Sequence, residues 1–118
     1  WLTFNEINAV CGYANLGTHR ADQMTTFRCA HHMFLASAIT TKYIHEVDPQ
    51  AMVGTMYASS PAYAATCKPE DMFKHMRSRR ESWFFVDVMA RGYYPFYTND
   101  LYNRRGVKPI QKEEGDED

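Results

Sequence analysis

Apolar positions in this chain fall into two rhythms. Trp1-Leu2-Thr3-Phe4 is a short aromatic and β-branched run and predicts a strand. Asn5-Glu6 stands at its end. Residues 11–23 carry Gly12, Asn15, Gly17 and Asp22 and predict a loop. Phe27, Ala30, Phe34, Ala38, Thr41 and Ile44 then recur three and four apart, with Leu35 and Ile39 beside them, which is helical spacing. Thr25 or Thr26 is the expected cap. The helix should stop before Asp48-Pro49, because a residue ahead of proline avoids the α region.

The second half repeats the order. Met52-Val53-Gly54-Thr55-Met56-Tyr57 is a short apolar run that predicts a second strand, closed by Ser59-Ser60-Pro61. Residues 61–67 predict another loop. Lys68-Pro69-Glu70-Asp71 opens a helix, since proline suits the first turn and carboxylates complement the helix dipole. Met72, Phe73, Met76, Trp83 and Phe84 form its expected buried stripe against a sheet. Lys74, Arg77, Arg79 and Arg80 form a basic face, expected to be solvated or paired with Glu81 and nearby carboxylates. The helix should end near Ala90 at Gly92, and a shorter helical stretch runs from Asp100 to Arg105, closed by Gly106.

Strand, helix, strand, helix is an α/β order with parallel strands. A parallel sheet must be covered on both faces. Two short strands and two long helices hold too little material for that, so the pattern is expected to be a slice of a larger α/β protein. The charged end Lys112-Glu113-Glu114-Gly115-Asp116-Glu117-Asp118 fits either an acidic tail or such a slice.

Composition narrows the function classes. The chain has 118 residues, enough for one domain at most, and a net charge of −1, which gives no general reason to expect nucleic acid or an anionic membrane as partner. No apolar run approaches the roughly 20 residues of a membrane helix, and no secretory leader is evident at Trp1. Cys11, Cys29 and Cys67 are odd in number and widely spaced, so no disulfide framework or metal knuckle can be drawn. A reducing, cytoplasmic compartment is the simplest expectation. His31 and His32 are adjacent, so on a helix they point apart, and His19, His45 and His75 do not complete a ligand set by spacing. No metal or cofactor is expected.

The candidate chemistry sits at Asn5-Glu6. In barrels and open sheets of the α/β class, working residues lie at the carboxyl ends of strands. A Glu there can move a proton, and a neighbouring Asn can hydrogen-bond a hydroxyl. Position alone also suits a plainer role for Glu6, as a cap or a surface ion-pair partner. Tyr57, at the expected end of the second strand, is a candidate for substrate contact. Tyr93 and Tyr94 suit loop packing better than stacking on a sugar ring.

Several motifs in order sharpen this reading. Trp1-Leu2-Thr3-Phe4-Asn5-Glu6-Ile7-Asn8 resembles the strand-4 motif of family 1 glycoside hydrolases, in which a Thr-(apolar)-Asn-Glu run ends the fourth strand of a (β/α)8 barrel. His32-Met33-Phe34-Leu35-Ala36-Ser37-Ala38, Val53-Gly54, Lys68-Pro69-Glu70-Asp71, Phe85-Val86-Asp87-Val88 and Arg91-Gly92-Tyr93-Tyr94-Pro95 resemble the later segments of that family's sequences. Ile7 in place of proline after the Glu, and the Arg-Gly-Tyr-Tyr-Pro wording, are similar to the branch acting on 6-phosphorylated β-glucosides. The resemblance implies a helix-rich TIM-barrel fragment of about two βα units, with residues 1–118 forming part of one catalytic domain.

The resemblance also implies residue roles. Glu6 matches the family's acid/base carboxylate, and Asn5 matches the Asn that binds the glycon 2-hydroxyl. Tyr57 is kept on the aglycone side by its position. The implied chemistry is retaining hydrolysis, with two carboxyls about 5–5.5 Å apart. The family's nucleophile lies in a Glu-Asn-Gly motif, and no such tripeptide occurs here. The basic helix face is not assigned to the 6-phosphate. The expected partner is a small phosphorylated β-glucoside, with no nucleic acid or membrane, and no seam for an oligomer is visible. Plain β-glucosides and 6-phospho-β-galactosides are the alternatives within the family. A small non-catalytic α/β interaction domain is the alternative outside it.

Overall fold

The computed structural model describes residues 1–10 and 18–116. Cys11, Gly12, Asn15 and Gly17 of the expected loop lie outside the described residues. The order is β1 (Leu2–Asn5), α1 (Ile7–Val10), α2 (Gln23–Val47), β2 (Gly54–Met56), α3 (Pro69–Arg91) and α4 (Thr98–Arg105). β1 and β2 pair in parallel, with Leu2 opposite Gly54 and Asn5 opposite Met56. The ladder is irregular between these two pairs, because β1 uses one residue more than β2 over the same span. Such a bulge bends its strand and re-aims the side chains beyond it.

The long helices begin and end for local reasons. Asp22, rather than Thr25 or Thr26, caps α2: its carboxylate accepts from the Thr25 N–H at 2.8 Å and from the Thr25 hydroxyl at 2.8 Å. Those bonds hold the Asp22 carboxyl below the usual carboxylate range. α2 stops at Val47, ahead of Asp48-Pro49 as expected. Pro69 opens α3, with Glu70 and Asp71 in its first turn. Gly92 and Gly106 close α3 and α4 in the left-handed region, at φ 74° and 66°, where a Cβ would be strained.

The core lies between helices. Phe27, Ala30 and Phe34 of α2 face Phe84 and Val88 of α3, with Tyr97, Leu101, Tyr102 and Val107 closing the cluster. Phe84 is its centre: it is fully buried and meets the rings of Phe27, Phe34, Phe85, Tyr94 and Tyr102 at 5.4–6.1 Å between centroids. The expected stripe on α3 holds only at this end. Phe73 shares the face of Phe84 but lies about three turns upstream, where it is 60% exposed. Met72 and Trp83 are also exposed, and Trp83 carries the Arg79 guanidinium over its ring at 5.1 Å. Among the described residues no helix is long and apolar enough to cross a membrane.

Candidate active site

β1 delivers Asn5 and Glu6 to the carboxyl end of the sheet. Two contacts fix the turn there. The Glu6 N–H donates to the Met56 carbonyl at 2.7 Å, which carries the ladder one residue past β1. The Ala9 N–H donates to the Glu6 carbonyl at 2.8 Å, which starts α1. Between them Glu6 adopts φ 47°, a backbone that side-chain-bearing residues visit at a cost of about 1–2 kcal/mol. Ile7, fully buried, anchors the turn from below. Asn5 is exposed and Glu6 is half-buried.

The end of β2 is brought to the same place. Met56 stands opposite Asn5, so Tyr57 is the first residue beyond the pairing. The Thr55 hydroxyl donates to the Phe4 carbonyl at 2.8 Å. One residue past Tyr57, the Asn8 side chain grips Ala58. Its amide donates to the Ala58 carbonyl at 2.7 Å, and its oxygen accepts from the Ala58 N–H at 3.3 Å. Behind the sheet, the Thr3 and Ser37 hydroxyls lie 2.8 Å apart and tie β1 to α2.

Tyr57 is half-buried, and burial pushes its phenol pKa up, with the Asp87 carboxylate adding to the shift. Asp87 also accepts from the Tyr97 hydroxyl and faces the Arg91 guanidinium at 3.6 Å. Burial first, and Asp87 second, push the Tyr97 phenol up as well. Position along the sequence did not reveal that the turn after α3 bonds back to Asp87 through Tyr97.

Other candidates fall elsewhere. Tyr93 is exposed, whereas Tyr94 packs against Phe34 and Phe84 as a core ring. His31 is buried, with Nδ1 at 2.7 Å from the Tyr94 hydroxyl and Nε2 at 3.1 Å from the Asp116 carboxylate. Glu81 pairs with Arg104 and Arg105 rather than with the basic face of its own helix. Among the described residues no three His, Cys, Asp or Glu side chains converge as a metal site.

A half-buried carboxyl beside an exposed carboxamide, at one end of a parallel pair, can exchange a proton with a bound group while the amide holds a neighbouring hydroxyl. Comparison with known proteins gives this arrangement a context. The chain is similar to 6-phospho-beta-glucosidase AscB of Escherichia coli (strain K12), at 42% identity over the whole chain and 26% of the relative. It is 37% identical to aryl-phospho-beta-D-glucosidase BglH of Bacillus subtilis (strain 168), over the whole chain and 26% of that protein. It is 39% identical to a 6-phospho-beta-glucosidase of Clostridium longisporum, over 92% of the chain and 24% of that protein. The chain thus spans about a quarter of the length of these relatives. The family model described as glycosyl hydrolase family 1 matches residues 1–118 throughout, and the chain belongs to that family.

Proposed function

We propose that this chain is the acid/base segment of a retaining glycosidase that hydrolyses 6-phosphorylated β-glucosides. Its two βα units would be part of a (β/α)8 barrel, and the enzyme would work in the cytoplasm on small imported substrates. The observation that carries the reading is the turn at Asn5-Glu6, set by the Glu6–Met56 hydrogen bond at the carboxyl end of a parallel pair. The activities for which the relatives are named support the phosphorylated glycon.

In this mechanism Glu6 protonates the glycosidic oxygen as the bond to the anomeric carbon breaks. A second carboxylate, supplied from outside these residues, attacks that carbon. Glu6 then takes a proton from water, which releases the sugar. The Asn5 amide holds the 2-hydroxyl, a contact that strengthens in the oxocarbenium-like transition state. Tyr57, beside the same strand ends, offers a ring face to the aglycone.

Glu6→Gln in the full-length enzyme tests the role. It keeps the size and removes the titrating proton. Hydrolysis of substrates with poor leaving groups should fall by about 100-fold or more, while glycosyl transfer from activated aryl 6-phosphoglucosides, which need little protonation, should largely survive. Unchanged hydrolysis of the poor leaving groups would remove Glu6 from the acid/base role. A preference for plain over phosphorylated aryl glucosides would move the substrate class.

A further inference from the structure

Asn8 makes an unusual pair of bonds for a side chain in a one-turn helix. Its carboxamide is used as if it were a peptide group, donating to the Ala58 carbonyl and accepting from the Ala58 N–H. The partner is 50 residues away in the chain, on the segment leaving β2. Two residues earlier on each side, the Glu6 N–H is bonded to the Met56 carbonyl. Tyr57 is therefore bracketed: Met56 before it is held by Glu6, and Ala58 after it is held by Asn8. The two bonds also bracket Ile7 on the other side, and Ile7 is fully buried.

Glu6 needs this support. At φ 47° its backbone sits in a region that surrounding contacts must impose. If Asn8 is cut back, the Ala58 N–H and carbonyl lose their partner, and the end of β2 is free to part from α1. Of the two attachments that bracket Tyr57, only the Glu6–Met56 bond then remains. A displacement of about 1 Å at a reacting group is enough to cost roughly 100-fold in rate.

We infer that Asn8 is a positioning residue, whose carboxamide clamp on Ala58 fixes the Glu6 carboxyl and the Tyr57 ring relative to one another. This rests on the acid/base reading of Glu6. A clamp of this kind acts most on the step in which Glu6 donates its proton. Its loss should therefore fall unevenly across substrates, growing as the leaving group becomes more basic. A residue that only stabilised the fold would lower the active fraction, and all substrates would lose equally.

The test compares Asn8→Ala, Asn8→Asp and Glu6→Gln in the full-length enzyme on two aryl 6-phosphoglucosides, one with an acidic phenol and one with a basic phenol. Asn8→Ala should lose about 10–100-fold in kcat/KM on the basic phenol and several times less on the acidic one. Asn8→Asp keeps the shape and the acceptor to the Ala58 N–H but cannot donate to the carbonyl, so it should show the same unevenness. It decides the matter if Asn8→Ala does not fold. Equal losses on both substrates, or no loss, overturn the inference. If Glu6→Gln shows uneven losses and both Asn8 variants do not, the clamp fails alone. If Glu6→Gln shows none, the acid/base reading fails first.

Discussion

Glu6 and Met56 are joined across the sheet, the Glu6 N–H on the Met56 carbonyl at 2.7 Å, and the bond is made with Glu6 in the left-handed region at φ 47°. The site is thus built at the expense of local backbone comfort. Two substitutions separate the backbone from the carboxylate. Glu6→Ala and Glu6→Gly both remove the acid, but only glycine adopts positive φ without strain. The glycine variant should unfold at the higher temperature, by the equivalent of about 1 kcal/mol, in thermal melts of the full-length protein. Equal melting temperatures would mean that the turn relaxes when the side chain is gone.

Asp87 ties α3 to the turn that follows it, through the Tyr97 hydroxyl it accepts from. Asp87→Ala leaves that phenol without its acceptor and should cost about 1–3 kcal/mol in denaturant unfolding. Tyr97→Phe should cost a similar amount. The double variant should cost less than the sum, because both changes remove the same bond. Additive losses would show that Asp87 acts through Arg91 instead.

Phe84 and Phe73 lie on one face of α3 and carry the same side chain, yet one is fully buried and the other 60% exposed. Phe84→Ala should cost about 3–5 kcal/mol, a large part of a typical domain's stability. Phe73→Ala should be much milder if the exposure holds in the full-length protein. A Phe73→Ala loss as large as that of Phe84→Ala would mean that another part of the protein covers the upstream half of α3.

The same pair shows what the sequence could convey. Periodicity marked Phe73 and Phe84 as one stripe, because it reads direction around a helix and not what stands opposite. Burial of Phe84 depends on α2 and α4 crossing at that level. Signals that act within a few residues were legible: the stop before Asp48-Pro49, the glycines that close α3 and α4, and Asn5-Glu6 at a strand end. The choice of Asp22 over Thr25 as cap was not, since both types cap helices and stand three residues apart. β2 is shorter than the apolar run that holds it, with Gly54–Met56 set against Leu2–Asn5 of β1. The Asn8–Ala58 clamp joins distant parts of the chain, and no local pattern encodes it.

Tyr102 gives a prediction with a defined pH window. It is buried beside Phe27 and Phe84, and burial pushes its phenol up to about 12 from an ordinary value of 10.0. The folded state therefore prefers the neutral phenol more strongly than the unfolded chain does. This stability is fully present below pH 10.0, where both states are protonated, and is lost as pH rises toward about 12, where unfolding releases a proton. Denaturant midpoints of the full-length protein should fall across that window. Tyr102→Phe keeps the ring and removes the titrating hydroxyl, so its midpoint should fall less steeply there, although it starts from a different stability. Parallel slopes for the two proteins would assign the alkaline loss to other groups. Tyrosinate absorbance in the folded protein would then show Tyr102 ionising near the ordinary value.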